Sequence, residues 1–415
     1  MSGSARGGRA PASLLKRAAL LAGTALLVAA CTSGRPAASV INGSAVGPSA
    51  ASSAHRPSAP TRTGPALPAG LPGMPSRLSA TDVYAADHPG QLSPVDAHDP
   101  AYVYVPDTNS NNVYVIDQHT MRVIDHFPVG HEPQHVVPSY DLTTLYVTAD
   151  KVGSGSLVPI DPKTGRPGTP IPVDDAYNMY FTPDGRYAMV VQEAYTRLAF
   201  YDPHTWKLHD TLTIPSCKGI DHMDFTADGT KLLASCEFAN SMVVVDVASH
   251  RLLRSIALTR VSGGMPQDVK LSPDGKVFYV ADMMADGTYL IDASSFAVIG
   301  FLPTGKGAHG LYISRDSARM FVTNRDEGSI SVVDLAQRRV AAKWFLPNGG
   351  SPDMGNLSAD GKVLWLSGRY NNVVYAIDSS NGRLLASIPV GSGPHGLCVW
   401  PIPGRYSLGH TGILR

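Results

Sequence analysis

Four histidines occupy matched positions in a chain of 415 residues. Counted back from a recurring Asp-bearing turn, the sixth position holds His135, Asn178, His222, Asp268, Gly310 and Met354, and the seventh holds Gln134, Tyr177, Asp221, Gln267, His309 and Asp353. His395 aligns with His309, because AHGLYI and PHGLCV superpose. Imidazoles and carboxylates brought together from separate repeats could ligate a transition metal, and imidazole suits zinc or copper. His135, His222, His309 and His395 are therefore the candidate metal ligands, with Asp268 and Asp353 beside them. Two other readings stay open: a polar site for a small ligand or partner, and histidines that only hydrogen-bond neighbouring loops.

A second charged set comes from the loops between second and third strands: Asp107, Asp150, Glu193, Glu237, Asp282, Arg325 and Arg369. The acidic majority suits a cation or a basic ligand, and the two arginines could grip a carboxylate or phosphate; simple solvation is the plain alternative. Cys217 and Cys236 flank one hairpin, IPSCKGIDHMDFTADGTKLLASC, where an oxidising compartment favours a disulfide. The alternative makes one thiolate a soft ligand beside His222. Cys398 lies in an apolar strand and reads as a buried free thiol.

Some apparent motifs fail on context. HEPQH (131–135) carries Pro133 and enters a strand, whereas H-E-x-x-H needs a helix to put both histidines on one face. GKGAHG (305–310) and GSGPHG (391–396) lead from strand to strand, which excludes a dinucleotide loop. No G-x-S-x-G, C-x-x-C or C-x-x-C-H occurs, so a standard serine hydrolase and covalently held haem are unsupported.

The elements that must position these residues are repeats. An Asp closes a β-rich run at 117, 161, 202, 246, 292, 334 and 378, with successive spacings of 44, 41, 44, 46, 42 and 44. Four short strands per period of this length are the signature of a propeller blade, which buries its two faces against neighbouring blades. Six units share an inner turn: Tyr140-Asp141, Pro183-Asp184-Gly185, Ala227-Asp228-Gly229, Pro273-Asp274-Gly275, Arg315-Asp316-Ser317 and Ala359-Asp360-Gly361. Asp and Gly tolerate the dihedrals of a tight hairpin, so these residues are structural. The first unit starts at Tyr102–Val105 without an inner strand, while the last copy has one to spare, Gly396–Trp400. The expected fold is an all-β, seven-bladed propeller of four antiparallel strands per blade, closed by that C-terminal inner strand so that no edge is left open. Outer-to-inner and second-to-third loops then share one face, which places both charged sets at the mouth of the channel.

Residues 1–31 read as a secretory leader: Arg6, Arg9, Lys16 and Arg17 precede the apolar run Ala18 to Ala30. Val28-Ala29-Ala30-Cys31 resembles a bacterial lipobox, which implies a lipid on Cys31; an ordinary cleaved signal is the alternative. Residues 32–79, rich in Ser, Ala, Pro and Gly, read as a flexible tether. The domain of residues 80–415 is thus expected outside the bacterial cell membrane, attached through Cys31, as a monomer. Lys plus Arg and Asp plus Glu each number 34, and no basic patch argues for nucleic acid.

YVTAD (146–150), YVADM (279–283) and FVTNR (321–325) make residues 95–400 resemble the YVTN-repeat β-propellers of secreted bacterial proteins. The resemblance implies the fold. It is weak for function, since the family includes cell-envelope proteins without known activity and related propellers include lactonases and haem or quinone enzymes. The leading expectation is a non-catalytic envelope module that binds a small ligand or a partner protein on the His-bearing face. Alternatives are a metal-dependent redox enzyme with His135, His222, His309 and His395 as ligands, and a lactonase-like hydrolase with a divalent ion on Glu193, Glu237 or Asp282. The tail 405–415, with Tyr406, His410 and Arg415, has no place in the repeat and is read as packing under the ring.

Overall fold

Short runs of β-branched and aromatic residues, each bounded by Asp or Gly, fold as strands, and seven groups of them wrap around one axis. The computed structural model describes residues 70–415; the leader with Cys31 and the tether through residue 69 lie outside the described residues. From the axis outward, blade 1 is Cys398–Trp400, Tyr102–Asp107, Asn112–Asp117 and Arg122–Pro128. Blades 2 to 7 begin with the inner strands Pro133–Pro138, Asn178–Phe181, Ile220–Phe225, Pro266–Leu271, Ala308–Ile313 and Pro352–Leu357. Every strand pairing within a blade is antiparallel, and each blade is built on four strands. Blade 2 adds a fifth piece: its edge is split into Arg166–Pro167 and Ile171–Pro172, both on Ser156–Asp161, because prolines there cannot donate to a continuous ladder. Among the described residues the helical segment is one short turn, Glu237–Ala239, and no helix is long and apolar enough to cross a membrane.

Blades stack face to face, so inner strands are buried on both sides, as in Pro266–Leu271 and Ala308–Ile313, while the outer strand Arg251–Ala257 is mostly exposed. Val147, Val190, Ala234, Val280, Val322 and Leu366 sit at the same level of successive second strands and are fully buried. The inner turns explain the recurring Asp. In six blades a Ser or Thr hydroxyl two residues earlier donates to it, at 2.5–2.7 Å. The same carboxylate accepts the backbone N–H two residues on, in Arg186, Thr230, Lys276, Ala318 and Lys362 among others. The next residue has φ near +70°, which is why Gly follows Asp at 185, 229, 275 and 361.

Ring closure follows the expected pairing. Tyr102 faces Trp400, Val103 faces Val399 and Tyr104 faces Cys398. Trp400 is fully buried, and its indole N–H donates to Asp99 at 2.9 Å.

Two regions differ from expectation. Residues 70–79, read as tether, lie against the ring: Leu71 is buried and its N–H donates to the Asp228 carbonyl at 2.8 Å. A strap therefore begins before residue 80 and runs on to Tyr84, whose hydroxyl donates to the Leu271 carbonyl, and Asp87, which pairs with Arg315 at 2.6 Å. The tail, too, does more than pack beneath the blades. It folds back between Ser407 and Leu414 and enters the channel, where His410 N–H donates to the Met179 carbonyl at 2.8 Å and Phe181 N–H to the Leu408 carbonyl at 3.0 Å. Leu408, Ile413 and Leu414 supply the apolar surface that repays this burial, and Arg415 pairs with Asp224 at 2.8 Å.

Trp400→Ala removes a fully buried indole from the closing strand and should destabilise the protein by about 3–5 kcal/mol. Phe345→Ala, at a side chain 65% exposed, should change stability by less than about 0.5 kcal/mol. Guanidinium unfolding midpoints of the two variants check the pair.

Candidate metal centre

The inner strands deliver their side chains to the axis through a repeated irregularity. Pairing with the second strand breaks between Pro133 and His135, Ile220 and Met223, Pro266 and Val269, Ala308 and Leu311, and Pro352 and Gly355. Such bulges re-aim side chains, so two consecutive residues face inward where regular alternation would send one away. A hydroxyl on the second strand holds four of these five bulges; at Pro266–Val269 the matching residue is Ala281. Thr148 accepts from His135 N–H at 3.1 Å, Ser235 from His222 N–H at 3.0 Å, Thr323 from Gly310 N–H at 2.7 Å and Ser367 from Met354 N–H at 3.2 Å. These are the Thr and Ser of YVTAD, LLASC, FVTNR and WLSGR, a signal for the site that was readable but unread.

Five imidazoles meet inside this ring of bulges. The ring of His135 lies 4.9 Å from His395, 5.3 Å from His410 and 5.4 Å from His222, centroid to centroid, and His222 lies 4.7 Å from His410 and 6.4 Å from His309. Tyr177 covers them from the mouth side, 5.4 Å from His135. All five are at most 4% exposed, so the site expected at the mouth of the channel is an enclosed one.

Two groups each combine two histidines with a carboxylate whose candidate ligand atoms lie within 4.8 Å of one another: His222, Asp268 and His410, and His309, Asp353 and His395. They differ in charge. Asp353 already has a cation, because Arg325 donates to its Oδ1 through Nε at 3.0 Å and Nη2 at 2.5 Å, and Arg325 also meets His309 Nε2. In the other group Asp268 accepts only the backbone N–H groups of Val269 and Leu311, each at 2.9 Å, and Lys270, whose charge reaches it, makes no close ion pair. Asn178 Nδ2 stands 3.1 Å from Nδ1 of both His222 and His410. That anchors one edge of each ring and leaves Nε2 of His222 3.1 Å from Asp221 and Nε2 of His410 3.7 Å from Asp268. Neither contact has hydrogen-bond geometry: both Nε2 atoms and both Asp221 oxygens are buried without a partner, as are both ring nitrogens of His135.

Burial pushes His135 down to about 3 and holds His222, His309, His395 and His410 well below the ordinary imidazole range, so the rings are neutral and offer lone pairs. Burial also raises Asp268 to about 6 and, with the nearby charges of Glu237 and Glu193, raises Asp221 well above the carboxylate range. Buried carboxylates without counter-charge are costly. A divalent cation on the Nε2 side offsets both at once, and nitrogen and oxygen ligands at about 2.0–2.2 Å are what zinc takes.

The structure brings together His135, His222, His309 and His395 with Asp268 and Asp353. Glu193 and Glu237 stand above them at the mouth, half-buried, within hydrogen-bonding reach of each other. Asp282 does not join: its Oδ1 accepts the N–H groups of Met265, Met284 and Ala285, which makes it a loop cap. The arginines do not form a shared anion grip. Arg325 is spent on Asp353, and Arg369 donates to Thr108 at 2.8 Å and the Gly393 carbonyl at 3.0 Å. Cys217 and Cys236 are joined by a disulfide, which removes both thiols from ligation, and Cys398 is buried and free. His410 escaped sequence reasoning because its segment repeats nothing, so no alignment placed it at the channel level.

A sequence model of a YNCE-like beta-propeller family matches residues 84–404. No curated protein is found to match. Among solved structures, a functionally unknown protein from Desulfotomaculum acetoxidans shares 16% identity, covering 72% of this chain and 98% of its own, with a TM-score of 0.59. The dihydro-heme d1 dehydrogenase NirN in complex with DHE shares 17%, over 79% of this chain and 82% of its own, with a TM-score of 0.55. Hydrazine synthase from Kuenenia stuttgartiensis shares 18%, over 69% and 97%, with a TM-score of 0.56. At these identities the likeness is one of fold.

The mouth carboxylates generate a pH prediction. Burial, then Glu237 and other carboxylates, raises Glu193 from 4.5 to about 8. The folded state then binds this proton more tightly than the unfolded chain, so the carboxyl increasingly destabilises the metal-free fold as pH climbs from about 5 to 8. Glu193→Gln should raise the thermal midpoint at pH 8 and leave it unchanged at pH 5. Scanning calorimetry of metal-free wild type and variant at both pH values checks the sign.

Proposed function

The chain belongs to the YNCE-like beta-propeller family, and on that premise we propose that it is a lipid-anchored envelope propeller that holds a divalent transition metal, zinc or copper, in its channel. The observation that carries this reading is the unpartnered Nε2 of both His222 and His410 beside Asp268, with His135 bearing two unpartnered ring nitrogens next to them. Leaving one buried polar atom unpaired costs about 1–3 kcal/mol, and this group of atoms shares one small volume. A metal satisfies them together. Ligation replaces protons on nitrogen, so uptake releases protons and weakens at acid pH.

Binding fits the geometry better than turnover. His135, His222 and His410 are 0, 0 and 1% exposed, and the tail closes the channel from below. A redox or lactonase-like enzyme needs a substrate beside the metal, and a lactonase-like ion on Asp282 would compete with three backbone donors. The second group, His309, Asp353 and His395, then serves as a neutralised wall, with Arg325 as its built-in cation.

Full-length protein purified without chelators should carry about one zinc or copper per chain by elemental analysis, the stoichiometry of a single four-ligand site. The double variant His222→Ala/His410→Ala should carry less than about a tenth of that, at this loss of ligand count. A wild type that stays metal-free after incubation with both ions sinks the reading. The anchor is tested separately: Cys31→Ser should move the protein from the membrane fraction to the soluble one, and an unchanged membrane share overturns lipid attachment.

A further inference from the structure

Between the mouth and His222 stands a set of carboxylates that neither the fold nor the metal ligands explain. Glu193 and Glu237, from the second-to-third loops of blades 3 and 4, face each other without a basic partner, and Gln267 lies against Glu237. Two carboxyl groups this close repel unless a proton or a cation sits with them. Below them, Asp221 is fully buried with neither oxygen in a well-formed hydrogen bond, the Tyr177 side chain being its one neighbouring donor. After burial itself, the nearby charges of Glu237 and Glu193 act most strongly on Asp221, and its Oδ1 lies 3.1 Å from His222 Nε2. Asp150, held by Gln134 at 2.8 Å, adds a further acid on the neighbouring blade. The basic residues of this face, Arg325 and Arg369, are on blades 6 and 7 and turned to other partners. The acidic half of the mouth therefore belongs to the half of the channel where, among the described residues, no cation is ion-paired to Asp221 or Asp268, Lys270 acting on Asp268 only from a distance.

We propose that Glu193, Glu237 and Asp221 form an entry site that captures the incoming divalent metal and passes it to His222. The inference rests on the metal reading above and adds a route to it. The mouth pair is half-buried and wet enough to replace part of the ion's water shell. Asp221 is the first fully dry ligand, and its contact with His222 Nε2 makes the transfer a move between adjacent donors. Above about pH 8, where Glu193 is ionised, a cleft lined by one sign of charge with low-dielectric walls also raises the local cation concentration.

Cobalt(II) uptake by metal-free full-length protein, followed by stopped-flow visible absorption, separates the two claims: the amplitude reports the imidazole centre and the rate reports the mouth. Glu193→Gln/Glu237→Gln should slow uptake at least about tenfold, the low end of electrostatic focusing. It should also weaken the dependence of the rate on salt. Glu193→Asp/Glu237→Asp, which keeps both charges, should recover most of the rate. Glu132→Gln, a change of the same size at an exposed acid paired with Lys151 on the same face, should leave the rate unaltered. A Gln/Gln rate within twofold of wild type overturns the entry site while leaving the metal centre standing. Absence of any cobalt signal in wild type overturns the metal centre and the route with it.

Discussion

The three residue pairs that join Cys398–Trp400 to Tyr102–Asp107 hold the ring together. Without them blade 1 lacks an inner strand and Tyr102–Asp107 becomes an unpaired edge, the arrangement least tolerated by β proteins. The same closure determines where the chain goes next. After Trp400 it is already at the axis, so the remaining residues turn into the channel. There Asn356 donates to the Thr411 carbonyl and the Thr411 hydroxyl to that of Gly355. His410 reaches the channel level by this route, and the closing strand thereby links the stability of the ring to the composition of its centre.

Inside the channel, geometry and charge act on different scales. The bulges repeat blade by blade and are local: a hydroxyl on the second strand, a break in register, two side chains turned inward. Charge is a property of the whole ring. Arg325 neutralises Asp353 across an inter-blade gap, whereas Asp221 and Asp268 make no close ion pair, the charge of Lys270 reaching Asp268 only from a distance. Two triads of matching composition therefore differ in what they can hold.

Much of this architecture was legible in the residues. The Asp-Gly turns marked inner hairpins because their φ values near +70° exclude most side chains, and the spare strand at the C terminus pointed to the closure. The repeat puts the histidines at the mouth of the channel and does not show their enclosure, since alternation along a strand says which face a residue takes and nothing about what covers it. Glu193, Glu237 and Asp282 looked alike in the alignment. Only the backbone donors around Asp282, and the facing carboxyls of the other two, told them apart.

By itself the sequence determined the blade count, the strand order, the closing strand and the shared level of His135, His222, His309 and His395, because each depends on hydrogen-bond patterns that repeat at a period of about 41 to 46 residues. The tertiary structure decided the enclosure of those rings, the arrival of His410, the role of Arg325 and the packing of residues 70–79 on the lower turns. These depend on contacts between residues far apart in the chain, from segments that repeat nothing, and periodicity carries no record of distances across an axis.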